Sequence, residues 1–239
     1  MTKERYHHGQ LREALLDAAE ALARERGADG WSLREVSAQL GVAPSAAYHH
    51  FACREEIVIK LAERIQADVG QRLSRAVARA DTTDPLQPLI AYARTYVRWT
   101  IDNRGLAALA FAAARDIDLQ AMISPHPYDI LATELDRLVD TAVLTRSARV
   151  GAEFMVWPAV HGLAVLCADE MIRHRNRRTT DLEAERLVRA LLAGLNDVTT
   201  PAPDPTAATS PHGERAAKLR RNKSSSQGRS RESVAPQQV

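Results

Sequence analysis

Leu11, Leu15, Leu16, Ala18, Ala19 and Leu22 recur at helical spacing, opposite Arg12, Glu13, Asp17, Glu20 and Glu25. The chain therefore opens with an amphipathic helix, which stops at Gly27 in the turn "RGADG". Ser32 and Glu35 follow at S-x-x-E spacing, where each side chain can satisfy a free amide at a helix start. Leu33, Val36 and Leu40 line the next helix until Gly41 breaks it. Pro44 then suits the first turn of a third helix, where its missing amide costs nothing. Two short helices joined by a tight turn at Gly41 and Val42 make a helix-turn-helix, with its second helix free to enter a DNA groove. Phe51, Val36, Leu40 and Val42 read as its core.

A longer helix begins at Arg54, carried by Ile57, Val58, Leu61, Ile65, Val69 and Leu73. The stretch "RADTTDPLQP" interrupts the pattern, and Pro85 is placed at the start of the next helix. Further helical segments are predicted over Leu86–Asn103, Gly105–Asp116, Tyr128–Ala142, Arg146–Arg175 and Asp181–Asn196. The turns between them are "NRG", "SPHPYD" and "NRRTTD". From Thr199 onward Pro, Ser, Ala and Arg replace large apolar residues, the signature of a segment unable to form a packed core. The predicted organisation is all-α. Residues 1–55 form an arm and a three-helix DNA-binding domain, 56–198 a second helical domain, and 199–239 a disordered basic tail.

Composition agrees with a helical chain: Ala, Leu, Arg and Glu dominate, and aromatic residues make up 5%. The net charge of +2 misleads, because the tail alone carries +4 and leaves −2 for the body. Evidence for nucleic-acid binding must therefore come from local features. Cys53 and Cys167 stand far apart without C-x-x-C spacing, against a disulfide framework or a zinc ribbon. No apolar h-region or membrane-length run occurs, so the expectation is a cytoplasmic protein without membrane contact.

The segment "LREVSAQLGVAPSAAYHHFACREEIVIKLAE" resembles the DNA-binding domain of TetR-family transcriptional regulators, over roughly Leu11 to Leu61. The matching residues are Arg34-Glu35-Val36, Gly41-Val42, Tyr48-His49-His50-Phe51 and Arg54-Glu55. "YHHGQLREALLDAA" and "VWPAVHGLAVL" are similar to the TetR subgroup with a WHG-type C-terminal domain, named for residues equivalent to Trp157, His161 and Gly162. Departures from the family pattern are Ala43 and Cys53, where helix-capping residues usually stand, Ala47 for Leu and Arg54 for Lys.

The resemblance implies that residues 56–198 are a ligand-binding and dimerisation domain, and that the chain is a homodimer on double-stranded, palindromic operator DNA, paired through the last two helices and released by a small-molecule effector. Repression is the family's commoner mode. On the recognition helix Ala43, Ser45, Ala46, Tyr48 and His49 are placed to face DNA. Alanine methyls can touch thymine methyls, and Tyr48 and His49 can donate to phosphates or base edges. With no Arg, Asn or Gln on this helix, much of the readout would fall to methyl contacts and DNA shape. Arg34 and Arg54, at two helix starts, are expected to clamp phosphates, joined by Lys3 and Arg5 of a basic arm that also holds His7 and His8. Trp99, Phe111, Met122, Tyr128, Phe154, Trp157 and His161, with Met155 beside them, are the candidate lining of an effector site. For each of these, ordinary core packing is the leading alternative.

No metal site or cofactor is expected. An enzyme reading lacks motifs: no Glu-x-x-His pairs on bundle helices, and no HExxH, GxSxG, P-loop or GxGxxG. The alternative to a DNA regulator is a helical ligand- or partner-binding module without specific DNA binding.

Overall fold

The computed structural model describes residues 8–113, 125–173 and 176–197. Lys3, Arg5 and His7 of the arm, the candidate Met122 and the tail from 199 lie outside these residues, as does residue 116, the expected end of one helix. Ten helices and no strand occur among the described residues. They are α1 (His8–Arg26), α2 (Leu33–Gln39), α3 (Pro44–His50), α4 (Arg54–Ala78) and α5 (Gln87–Asp102). Beyond them come α6 (Arg104–Ala113), α7 (Pro127–Asp140), α8 (Arg146–Arg149), α9 (Glu153–Ala168) and α10 (Arg177–Asp197).

Local chemistry sets the first boundaries much as the pattern foretold. Gly27 and Gly41 both adopt the left-handed backbone (φ 85° and 66°), which ends α1 and turns α2 into α3. The Ser32–Glu35 capping box is formed in both directions at the start of α2. Four later boundaries differ from expectation. The segment expected as one helix over Arg146–Arg175 is two, because Gly151 at φ 71° breaks it and α9 begins at Glu153. Beyond Ala168 a turn with Glu170 at φ 57° ends α9. The expected turn "NRRTTD" is mostly helical, since Asn176 accepts the Thr179 amide at 3.0 Å and starts α10 at Arg177. Pro85 stays outside α5. The first-turn proline is Pro88, after an Asp84 carboxylate that accepts the Leu86 amide at 3.0 Å.

Helices α1, α2 and α3 pack on one another, and α1 packs also on α4. Leu15, Ala19, Trp31, Leu33, Val36, Ala47, Phe51, Ile57 and Leu61 form their shared core, each nearly or wholly buried. Leu40 and Val42 lie only half-buried. Helix α4 continues without a break past residue 55, touching α1 at one end and α5, α6 and α7 along its length. Helix α5 is the centre of the larger part. It packs on α4, α6, α7, α9 and α10 and buries Leu89, Ile90, Tyr92, Ala93, Tyr96, Val97 and Thr100, as expected of a helix apolar on most sides.

A candidate DNA-reading helix and an aromatic cluster

Helix α3 turns Ala47 inward with no exposure and caps itself against Phe51, also wholly buried. Arg12 of α1 lies over the Phe51 ring, 4.9 Å from its centroid, so α1 holds the end of α3. With that side pinned, Ala43, Ser45, Tyr48 and His49 are exposed and Ala46 is half-buried. Tyr48 is a large aromatic left 48% in solvent, which is unusual for a core side chain and suits a contact surface. Gln39, exposed in the last turn of α2, adds an amide side chain that a reading of α3 alone leaves out. Arg34 is exposed at the start of α2.

The two missing caps are real, but they are not equivalent. Ala43 makes no side-chain bond at the start of α3. At α4 Cys53 makes no cap bond either, yet Glu56 accepts the Ala52 amide at 2.8 Å. The Glu55 carboxyl is held below its ordinary value by its own amide and by the Cys53 side chain. Two acidic residues thus serve the amide end of α4.

Arg54, expected as a phosphate clamp, is engaged within the domain. Its Nε donates to the Trp31 carbonyl at 3.1 Å, and its Nη2 donates to the Ala28 carbonyl. The guanidinium lies over the Trp31 ring, 4.5 Å from its centroid. Main-chain carbonyls of the α1–α2 turn outcompete solvent for this group because Trp31 supplies a flat, buried platform beside them.

In the larger part, Phe111, Trp157 and His161 come together. The His161 ring lies parallel to Trp157 at 5.1 Å and 4.3 Å from Phe111. Tyr96, which the sequence did not single out, shares a 3.0 Å hydrogen bond between its hydroxyl and His161 Nδ1. Tyr92 stacks on Tyr96 and donates its hydroxyl to the Pro127 carbonyl at 3.2 Å. Tyr92 and Tyr96 stand four apart on α5, and that spacing was the available signal. Burial lowers the His161 pKa and raises both tyrosines, so the cluster favours neutral groups.

The remaining effector candidates are elsewhere. Trp99 lines a depression of about 400 Å³ with Glu20, Arg24, Arg64, Asn103 and Leu106, between α1, α4, α5 and α6. Tyr128 is buried at the start of α7, where the His126 ring caps the helix by accepting the Tyr128 amide at 3.1 Å. Phe154 is half-buried beside Gly151, and Met155 is 54% exposed. Among the described residues no group of three or more His, Cys, Asp or Glu side chains is arranged to hold a metal ion. No helix there is long and apolar enough to cross a membrane.

Comparison with known proteins bears on both parts. Residues 15–61 match the sequence model of the bacterial regulatory proteins of the tetR family. A TetR-family transcriptional regulator from Pectobacterium atrosepticum superposes with a TM-score of 0.59 at 19% identity, covering 83% of this chain and 100% of that one. The fold is that of the TetR-family regulators. An uncharacterized HTH-type transcriptional regulator of Bacillus subtilis, YobS, is 24% identical over 187 residues, 78% of this chain and 93% of its own. The B. subtilis regulator FadR, solved in complex with stearoyl-CoA, aligns at 16% identity and a TM-score of 0.60, over 76% of this chain and 98% of its own. The TetR-type segment thus coincides with α1 to the first turns of α4, where the exposed face of α3 lies.

Proposed function

We propose that this chain is a ligand-responsive transcriptional regulator that binds operator DNA through α3, acting as a repressor that an effector releases. The observation that carries the reading is the recognition helix itself. Ala47 and Phe51 pin it inward, while Ala43, Ser45, Tyr48 and His49 face solvent together. Ala43 and Ala46 offer methyls to thymine, Ser45 and His49 offer hydrogen bonds, and Tyr48 reaches a phosphate.

The dimer is assigned to α9 and α10. Helix α9 is apolar nearly all round, yet Met155, Pro158 and Leu166 remain in solvent, as does Leu182 of α10. A Cβ added at Gly162 or Gly194 would meet nothing, so both helices leave room for a partner to approach closely. Such a dimer would present two α3 helices to two half-sites, which makes a palindromic operator the natural target.

The effector site is assigned to the Tyr96–Phe111–Trp157–His161 cluster, within a WHG-type C-terminal domain in which Trp157 and His161 stack one helical turn apart. Regulators of this fold include one crystallised with an acyl-CoA. Coupling to DNA runs through α6, whose Gly105 sits so close to α1 that any Cβ there would collide with the Ala23 carbonyl. An effector that moves α6 changes where α1 can sit, and with it the spacing of the two recognition helices.

The deciding measurement is binding to the DNA upstream of the chain's own gene at two salt concentrations. A regulator binds one fragment preferentially and loses affinity steeply with salt. Equal binding to every fragment would end this reading in favour of a module without specific DNA recognition.

A further inference from the structure

Arg54 follows the recognition helix, where a cation facing DNA would be natural, but the structure uses it otherwise. Its two donating nitrogens meet the Ala28 and Trp31 carbonyls, which flank the turn between α1 and α2. Its guanidinium carbon lies over the Trp31 ring, and Trp31 is only 4% exposed. The Trp31 indole nitrogen is buried without a hydrogen-bond partner, so this side chain works through its face and its packing. The ion-pair partner of the guanidinium among the described residues is the Asp29 carboxylate, 3.5 Å away and almost fully solvated, too weak to hold it.

The topology gives this contact its reach. Trp31 immediately precedes the Ser32 cap of α2, and Arg54 is the first residue of α4. The bond between them, across 23 positions, closes the segment that contains all of α2, the Gly41 turn and α3. Both ends of the helix-turn-helix are therefore tied to each other. At the far end of α3, Arg12 over Phe51 supplies a second tie from α1.

We infer that Arg54 is a positioning residue that fixes the pose of the recognition helix, and that it does not contact a DNA phosphate. This rests on the reading of the chain as a DNA-binding regulator. Arginine is required because a guanidinium can cover an indole with its face while its edges donate to carbonyls, whereas a lysine ammonium is a compact charge with no flat face.

The test compares full-length wild type with Arg54→Lys, Arg54→Gln and Trp31→Phe. Each is measured below its own melting temperature on random-sequence duplexes enriched by the wild type. The readouts are affinity as a function of salt and amide hydrogen exchange over residues 33–50. A positioning role predicts that Arg54→Lys loses about tenfold or more in affinity despite keeping its charge. Its salt slope stays that of the wild type, Trp31→Phe shifts affinity in the same direction, and exchange quickens in α2 and α3. The inference is overturned if Arg54→Lys binds as the wild type does and Arg54→Gln lowers the salt slope by about one, the mark of a lost phosphate contact. If the wild type enriches no sequence, the proposed function fails separately. Exchange then still decides the tie, since unchanged protection in Arg54→Lys would remove it.

Discussion

The two halves of this molecule both depend on arginines, and they give them different partners. In the helix-turn-helix the ordering devices are a cap bond across three residues, a glycine turn, a proline start, and guanidinium groups seated on aromatic rings and main-chain carbonyls. In the larger part, α10 is fastened to α5 and the loop before it by arginine–carboxylate pairs. Arg189 meets Asp84 and Glu185, Arg94 meets Glu185 at 2.5 Å, Arg98 meets Asp181, and Arg177 meets Asp102 at 2.8 Å. The pairs to α5 and its loop join residues 75 to 105 positions apart. The difference teaches where specificity of fold is stored. A small unit that must present one helix rigidly is set by backbone chemistry, whereas a bundle that must hold a long helix in register is set by distant charge.

The sharpest break of that comparison is at the corner of α7, α8 and α9. Arg149 is buried and paired with Glu153 at 2.6 Å and Asp136 at 2.8 Å, while Glu153 itself is 2% exposed. Removing one partner strands the other's charge away from water. Arg149→Ala is expected to cost about 3–5 kcal/mol of unfolding free energy, read by urea denaturation. The double change Arg149→Met with Glu153→Leu should recover most of it, since it strands no charge in the interior. A loss equally large in the double variant would show that the charges themselves are needed.

The next prediction attacks the seam between the halves. Gly105 lies against α1, where an added Cβ would run into the Ala23 carbonyl and reach within 3.3 Å of Gly27 Cα. Backbone cannot give way as a flexible side chain does. Gly105→Ala should therefore cost about 1–3 kcal/mol and weaken DNA binding from a site far from α3. Normal DNA affinity in a destabilised Gly105→Ala would confine the seam to stability.

These contrasts explain what could be read from the sequence. The capping box, the Gly41 turn, Pro44 and the apolar faces of α1 to α4 were legible because each rests on residues within one helical turn. The single helix expected over Arg146–Arg175 failed because Gly151 in a largely apolar run looks tolerable until its positive φ is seen. The bonds of Arg54 could not be foreseen because its partners are main-chain carbonyls, and a carbonyl carries no residue identity. Of the seven effector candidates three share one cluster, and Tyr96, which completes it, was passed over. Aromatic residues at helical spacing signal burial, but only the fold decides which of them meet.

A smaller effect separates the halves by pH. His161 is pushed below its ordinary value of 6.5 by burial. The unfolded chain takes up a proton near that value, whereas the folded chain resists it. Its neutral form therefore contributes fully above about pH 6.5, and that contribution falls as the pH drops toward the lower folded value. Urea midpoints of the wild type and His161→Phe, compared between pH 7 and 5, should diverge, with the wild type losing more. The slope for one group is bounded at about 1.4 kcal/mol per pH unit. Parallel curves would mean that the cluster admits the charged ring.

The smallest change bears most directly on recognition. Ala43 occupies the cap position of α3 with extended backbone and no side-chain bond, so an amide at the helix start lacks that partner. Ala43→Ser supplies an acceptor in the right conformation, and stability should rise by about 0.5–1 kcal/mol. The same substitution deletes the exposed methyl assigned to thymine contact and replaces it with a hydroxyl already engaged by the backbone. If the methyl is read, the stabilised variant loses discrimination at one operator position while its salt slope stays constant. If preference is unchanged and only the melting temperature moves, Ala43 is a gap in the cap and nothing more. The reading then rests on Ser45, Tyr48 and His49 and on the shape of the DNA they meet.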